Sequence, residues 1–321
     1  MIATNFIEQG FPVRAVLENV GLTASQYYYR TKETNKKQGR PPSTSTCTEK
    51  GQRVPNGVVV QQIEELLKCE FVDYGYVKVT YWLRKVKHYV ISFKKVYRLM
   101  SEHKLLLARQ AVNRSARTWV KELVPQPKVP FQNIELDIKY IYLHGQRRNA
   151  MMLTAIDVLS RFNMGFILQY SIKKEDVAAL FDMINEQFSL PQGVTVRNDN
   201  GSQFTASLVR EKLFQMGIEQ EFSRPATPEQ NAHIEAYHSI VERAICNRYQ
   251  FDDIKDAKNT FYRFWHFYNF ERLHSGIEYD WPATYLEELG VQLDTKEFYP
   301  CGWSLETSAN ERDFEEGLMG Q

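Results

Sequence analysis

The chain has 321 residues, of which 43% are hydrophobic and 25% charged, and its formal net charge is +1. These values are ordinary for a globular protein, and the length allows two or three domains. No run of about 18 apolar residues occurs and the first residues lack the features of a signal peptide, so we expect no membrane partner. The four cysteines lie far apart, which excludes a C-x-x-C zinc pattern and predicts a reduced, cytoplasmic setting.

Charge is distributed unevenly along the chain. Residues 74–128 carry 13 Lys and Arg against 2 acids, whereas residues 286–321 carry 9 acids against 2 bases. A basic segment of this size predicts a polyanion as its partner, with a solvated helix face as the alternative.

Residues 1–30 predict a helix-turn-helix unit. Gly21 suits a left-handed turn and Thr23 suits the N-cap of the helix that follows. The apolar stripe at helical spacing is Val13, Val16, Leu17 and Val20. A plain helical hairpin is the alternative. The side chains expected to contact DNA are Thr23, Ser25, Gln26 and Arg30.

A linker and a second helical unit are predicted next. Residues 31–57 are rich in Lys, Gly, Pro, Ser and Thr, which is typical of a linker. Residues 58–120 predict a second, basic, helix-turn-helix-like domain, because apolar residues recur there every three or four positions. Its expected DNA contacts are Lys94, Lys95 and Arg98. The prolines between Val124 and Pro130 mark the end of this domain.

From Phe131 onward the pattern changes to short apolar runs and amphipathic helices. Three runs, at 131–143, 148–156 and 161–169, predict an antiparallel meander. The elements predicted after it are a helix from Val177 to Phe188, strands at 193–197 and 218–222 around a helix at 205–216, a long helix from Pro228 and an aromatic helix at 256–270.

This order predicts an α/β core at 125–272, with a mixed five-stranded sheet and flanking helices. All-α helix-turn-helix segments precede it, and a C-terminal extension with an acidic tail follows at 273–321.

Three acids are expected where these elements converge. Asp137 lies within the first core strand, Asp199 ends the fourth, and Glu235 lies on the long helix, with 35 residues between it and Asp199. Active sites of open α/β sheets gather at strand ends, and an acid inside an apolar run is costly to bury without a partner. Three carboxylates suit two Mg²⁺ or Mn²⁺ ions, which at about 4 Å apart can clamp the oxygens of a phosphodiester transfer. The alternative is three unrelated surface acids.

Other polar residues are expected to shape this site. Asn200 and Gly201 tolerate positive φ and would form the turn that presents Asp199. Asn231 would cap or position the start of the long helix. The DNA contacts expected nearby are Gln203, Arg272 and His274, with a structural turn as the alternative for the last two.

Three stretches of the chain carry a family resemblance, namely Tyr74–Tyr76 with Val96–Met100, Arg197–Phe204, and Tyr268–Ser275. They resemble the DDE transposases and retroviral-type integrases, and more narrowly the second-frame proteins of bacterial insertion sequences of the IS-three family. The resemblance covers roughly residues 10–285. It implies an RNase-H-like core in which Asp137, Asp199 and Glu235 bind two Mg²⁺ ions, and an enzyme that cuts DNA strands and transfers their 3′ ends.

The same resemblance implies partners and a location. They are the terminal repeats of an element and its target DNA, further copies of the chain on that DNA, an upstream-frame protein with a helix-turn-helix and a leucine zipper, and the bacterial nucleoid. The chain departs from the pattern after Glu235, where Ser239 and Val241 occupy a region that often carries a lysine. The alternatives are a non-catalytic DNA-binding regulator with a decayed nuclease fold and a structure-selective RNase-H-like nuclease.

Overall fold

A computed structural model describes residues 2–28, 42–107, 125–223 and 231–293. The chain divides into two compact units, residues 1–45 and residues 46–321. No helix of the described segments is long and apolar enough to cross a membrane. The predicted contact Arg30 and residues 294–321 of the acidic tail lie outside the described residues.

The first unit contains three short helices, α1 (Ile2–Glu8), α2 (Val13–Val20) and α3 (Ala24–Tyr27). Helix α2 ends at Gly21, whose φ of 68° lies in the left-handed region. The side chain of Thr23 accepts a hydrogen bond from the Gln26 N–H, and the Gln26 side chain accepts one from the Thr23 N–H. The turn and the N-cap predicted from the sequence are therefore confirmed, whereas the DNA contacts remain predictions.

The second unit begins with an arrangement that the sequence did not predict. Its elements are β1 (Ser45–Thr48), β2 (Arg53–Pro55), α4 (Asn56–Lys68), α5 (Tyr76–Lys85), β3 (Tyr89–Val90) and α6 (Phe93–Glu102). The strands form a small sheet in the order β2-β1-β3. The expectation of a linker throughout 31–57 and of purely helical segments before the core is therefore wrong at residues 45–55. The strands are short and polar, and β1 pairs with β3 about forty residues away, so local composition gives no signal of them.

The core contains a five-stranded sheet with helices packed against it. Its elements are β4 (Asn133–Leu143), β5 (Arg148–Asp157), β6 (Asn163–Gln169), α7 (Lys174–Gln187), β7 (Thr195–Asn198), α8 (Ser202–Thr205), α9 (Ser207–Gln215), β8 (Glu219–Phe222), α10 (Ala232–Val241), α11 (Ile254–His266) and α12 (Pro282–Glu288). The strand order is β6-β5-β4-β7-β8. Strands β4, β5 and β6 are antiparallel, and β7 and β8 join in parallel. The mixed RNase-H-like sheet predicted from the sequence is confirmed.

The C-terminal part of the described chain belongs to the core. Helix α10 continues as a π-helical turn at Glu242–Cys246, and α11 continues as another at Phe267–Glu271. In α12 the side chains of Ala283 and Leu286 are buried in the main hydrophobic cluster. The extension that the sequence placed after residue 272 is therefore packed on the core as far as it is described.

A buried joint connects the segment before α5 to the segment after α11. The Tyr74 hydroxyl accepts a hydrogen bond from the Leu273 N–H at 2.8 Å and donates one to the Glu271 carbonyl at 3.3 Å. The Arg272 guanidinium forms an ion pair with Asp73. Arg272 is 1% exposed and His274 is 6% exposed. The expected DNA contacts of these two residues are therefore wrong for this structure, because both side chains are enclosed by the joint, as the alternative of a structural turn requires.

Candidate active site

Strand β4 supplies the first of the three acids. Asp137 lies opposite Thr154 of β5, and its Oδ1 accepts a hydrogen bond from the Ile138 N–H at 2.8 Å. On the other edge of β4, Asn133 to Glu135 pair in parallel with Thr195 to Arg197 of β7. Asp137 and Asp199 each follow the last of these pairs, Glu135 with Arg197, by two residues; Asp137 is still within β4, whereas Asp199 lies in the loop after β7.

Helix α10 carries the third acid and packs on β4 and β5. The His238 Nδ1 lies 3.4 Å from Oδ2 of Asp137, which fixes this face of the helix against the strand. Glu235 precedes His238 by three positions and therefore lies on the same face of the helix, one turn earlier. His238 was not among the site residues predicted from the sequence, although its spacing from Glu235 was a usable signal.

The loop after β7 presents Asp199 at the surface. Its Oδ1 accepts a hydrogen bond from the Gly201 N–H at 2.9 Å, and the Asn200 side chain donates one to the Ser223 carbonyl at 3.0 Å. Gly201 has a φ of −57°, so positive φ is not the reason for this glycine. A Cβ there would lie 2.5 Å from the Gln203 amide nitrogen and 3.0 Å from Oδ1 of Asp199. The nearest of these atoms is the end of the flexible Gln203 side chain, which can move aside, so the predicted reason for Gly201 is wrong and space alone does not require a glycine there.

Glu135 is a buried carboxylate that the sequence analysis missed. It is 0% exposed, and its Oε2 accepts hydrogen bonds from the main-chain N–H groups of His233 at 3.0 Å and Ile234 at 2.8 Å. These are the second and third residues of α10, the positions that an N-cap side chain normally satisfies. Asn231 occupies the N-cap position but makes no side-chain cap hydrogen bond. The cap expected of Asn231 is therefore made by Glu135 instead.

The electrostatics of this region follow from burial. Burial raises the pKa of Glu135 to about 7, against the opposing effects of the Ile234 N–H and the Arg197 guanidinium. Burial also lowers the pKa of His233 to about 4, and the charges of Arg161 and Arg197 act in the same direction. The His233 imidazole is therefore neutral at pH 7, so the negative charge at this edge of the sheet comes from the acids.

The three carboxylates have the chemistry that a hard divalent cation requires, because each offers anionic oxygen. Asp199 and Glu235 are exposed, and Asp137 retains 29% of its side-chain exposure. Within the described ranges, however, no group of three His, Cys, Asp or Glu side chains lies close enough to hold a metal ion. The fold brings the elements together without pre-forming a closed cage of ligands.

The remaining predicted DNA contacts lie on the helical parts of the chain. Thr23, Ser25 and Gln26 are exposed in the first unit. On α6, Lys94 is exposed, whereas Lys95 and Arg98 are half-buried. Arg98 also lies 3.6 Å from Glu102, one turn further along the same helix. Lys94 thus offers the most accessible charge of the three.

Comparisons with known protein families agree with this architecture. Residues 127–228 and residues 216–282 match two models described as integrase core domain, and residues 58–112 match a model described as HTH-like domain. The "Transposase for insertion sequence element IS904" of Lactococcus lactis is 26% identical over 145 residues, which are 45% of this chain and 57% of that protein. The chain thus spans a little over half the length of this relative.

A second relative also comes from an insertion element, and two solved structures are distantly similar to the chain. The "Insertion element IS407 uncharacterized 31.7 kDa protein" of Burkholderia multivorans is 24% identical over 194 residues, which are 60% of this chain and 69% of that protein. The HTLV-2 integrase catalytic core domain solved with magnesium has a TM-score of 0.36 at 13% identity, covering 47% of this chain and 95% of that one.

A chain from the simian T-cell lymphotropic virus intasome in complex with PP2A regulatory subunit B56 gamma has a TM-score of 0.39 at 10% identity, covering 67% of this chain and 70% of that one. With scores this low, the fold assignment rests on the strand order and not on these structures. By its family matches the chain contains an HTH-like domain followed by an integrase core domain, and the two relatives are proteins of bacterial insertion elements.

Proposed function

We propose that this protein is a Mg²⁺-dependent DDE transposase that cleaves DNA strands at the ends of an insertion sequence and transfers them to target DNA. The observation that carries the proposal is the convergence of β4, β7 and α10. It is supported by the positions of Asp137 and Asp199, each two residues beyond the last β4–β7 pair, and by the contact of Asp137 with His238, which lies one turn from Glu235 on α10.

In this proposal Asp137, Asp199 and Glu235 would hold the divalent cations. Bound Mg²⁺ stabilises charge on the attacking and leaving oxygens of a phosphodiester transfer. The carboxylates themselves orient these ions through their strand and helix positions. The Gly201 N–H holds Oδ1 of Asp199, and the Ile138 N–H holds Oδ1 of Asp137, so each aspartate has one restrained oxygen. Because three unneutralised carboxylates repel one another, we expect the site to close fully only when cations bind.

The first prediction tests the three acids by isosteric neutralisation. Asp137→Asn, Asp199→Asn and Glu235→Gln should each lower metal-dependent nicking and strand transfer by more than about a hundredfold, since substitutions outside the ligand set already cost about tenfold to a hundredfold. Affinity for DNA and the midpoint of thermal unfolding should change little, because Asp199 and Glu235 are exposed and Asp137 is partly so. The assay uses an oligonucleotide bearing the end of the element, with Mg²⁺ varied.

A matched control is Glu186→Gln, an exposed acid on α7 that should retain wild-type activity. Near wild-type strand transfer by any one of the three test variants would remove that residue from the site. Absence of any metal-dependent cleavage by the wild-type protein would favour the non-catalytic regulator. Cleavage that depends on DNA structure and ignores the element end would favour the nuclease.

DNA and further copies of the chain are the partners that this proposal requires. The basic residues 74–128 supply the charge for phosphate contacts, and the HTH-like match covers much of that segment. An upstream-frame partner remains a prediction from the resemblance alone.

A further inference from the structure

We propose that Glu135 is a positioning residue that holds the start of α10, and with it Glu235, in register with Asp137. This inference rests on the proposed function of the three acids. It assigns no catalytic chemistry to Glu135 itself. Strand β4 would thus carry one active-site acid and also cap the helix that carries another.

The start of α10 is capped by a side chain of the neighbouring strand. The N–H groups at the start of a helix have no partner within the helix and need an acceptor. For α10 a single oxygen, Oε2 of Glu135, accepts from both His233 and Ile234, almost one hundred residues away in sequence. A carboxylate at this end of a helix also interacts favourably with the helix dipole. No side-chain cap comes from Asn231, so the acceptor from the strand replaces the local one.

The capping residue and Asp137 lie on the same face of β4. Residues 135 and 137 are two positions apart on a strand, and their side chains therefore leave the same face of the sheet. That face meets α10 twice, through Glu135 at the first turn and through Asp137 with His238 about one turn later. Glu235 lies between these two contacts. Its backbone follows directly after Ile234, whose N–H is the shorter of the two cap hydrogen bonds.

The surroundings of Glu135 indicate why this buried position holds an acid. Glu135 is opposite Arg197 in the parallel pairing of β4 with β7. The positive charges of Arg197 and Arg161 stabilise its carboxylate form and so lower its pKa, against the effect of burial. Its second oxygen, Oε1, has no hydrogen-bond partner among the described residues. For packing alone, an apolar side chain of similar length would satisfy this position better. The two cap hydrogen bonds are the feature that an apolar residue would lose.

The experiment separates positioning from stability with two variants. Glu135→Met keeps the length and burial of the side chain but removes the acceptor, and Glu135→Gln keeps an acceptor oxygen. For Glu135→Met we expect faster amide hydrogen exchange at His233 and Ile234, and a kcat for metal-dependent strand cleavage that is about tenfold to a hundredfold lower, as for other residues that orient metal ligands. KM for DNA and the thermal midpoint should stay near the wild-type values.

Glu135→Gln should recover most of the lost kcat and the slow exchange of both amides. Glu219→Met, an exposed glutamate on β8, is the matched control and should change neither. Wild-type exchange of these amides in Glu135→Met would overturn the cap. Equal loss of kcat in both variants with slow exchange retained would overturn positioning, because it would indicate a role for the negative charge. If the wild-type protein cleaves nothing, the proposed function fails, while the two amides still decide the cap.

Discussion

Lys78 is a cation placed where cations are already in excess. Its ammonium lies 5.2 Å from the centre of the Tyr74 ring, close to the joint of Asp73 and Arg272. Burial, together with the charge of Arg272, lowers the pKa of Lys78 from 10.5 to about 7. Asp73 acts in the opposite direction, but it is already engaged by Arg272 and Arg243.

This arrangement predicts a pH-dependent effect of Lys78→Met. Because the pKa of Lys78 is lower in the folded chain, the unfolded chain binds more protons between pH 7 and 10.5, so this residue makes wild-type stability rise with pH across that window. The variant lacks this contribution. Its thermal midpoint should exceed that of the wild type most below pH 7, and the difference should vanish near pH 10.5. Thermal unfolding at several pH values checks this.

The control for that series is Lys68→Met, since Lys68 is an exposed lysine at the end of α4. Its difference in thermal midpoint from the wild type should be small, because the side chain is exposed. A difference for Lys78→Met that stays constant from pH 6 to pH 10 would contradict the effect of burial on Lys78.

At the residue scale, the sequence indicated the three acids but not what supports them. Asp137 was expected to be the acid that is costly to bury in its apolar run, yet the enclosed acid of that run is Glu135. Both side chains lie on the same face of β4, and the position of α10 decides which of the two the helix covers. Arg272 was likewise expected to contact phosphate. Its ion-pair partner Asp73 lies 199 positions away in the sequence, so no local pattern indicated the pair.

At the element scale, prediction succeeded wherever a pattern was both long and local. The meander, α7 and the aromatic α11 lie within a few residues of their predicted bounds, since each carries a complete apolar face. The small sheet of β1, β2 and β3 was missed because its strands have two to four residues and pair at long range. His88, with a φ of 54°, makes the turn before β3 without the glycine that the turn would favour.

The turn between β4 and β5 provides the next prediction. Gly145 donates its N–H to the Phe251 carbonyl, and a Cβ at this position would collide with the main-chain oxygen of Asp252. Since that obstacle is backbone, Gly145→Ala should destabilise the protein by roughly 1–3 kcal/mol, as overpacking usually does. Chemical unfolding measures the change.

Gly57→Ala is the matched substitution at an open position. Gly57 lies in the first turn of α4 with nothing within 4 Å of an added Cβ. This variant should be neutral or more stable by up to about 1 kcal/mol, because alanine favours helices. Equal stability of the two variants would show that the segment at Asp252 yields to the added methyl group.

For the whole molecule, two segments of opposite charge lie far apart in the sequence. Residues 74–128 carry 13 bases against 2 acids, and residues 294–321 carry 7 acids against 2 bases. Charges of opposite sign attract within about one Debye length, near 8 Å at physiological salt. The tail can therefore compete with DNA for the basic segment, and a tail that only improves solubility is the alternative.

Deleting residues 294–321 tests this competition and retains Val291 and Leu293, which pack against the core. The deletion changes the formal net charge from +1 to +6. We expect tighter nonspecific DNA binding at low salt and a smaller gain at high salt, since salt screens the attraction. A full-length variant with the seven tail acids changed to Asn or Gln should behave like the deletion. Equal DNA affinities of the deleted and full-length proteins at low salt would leave a tail that serves solubility alone.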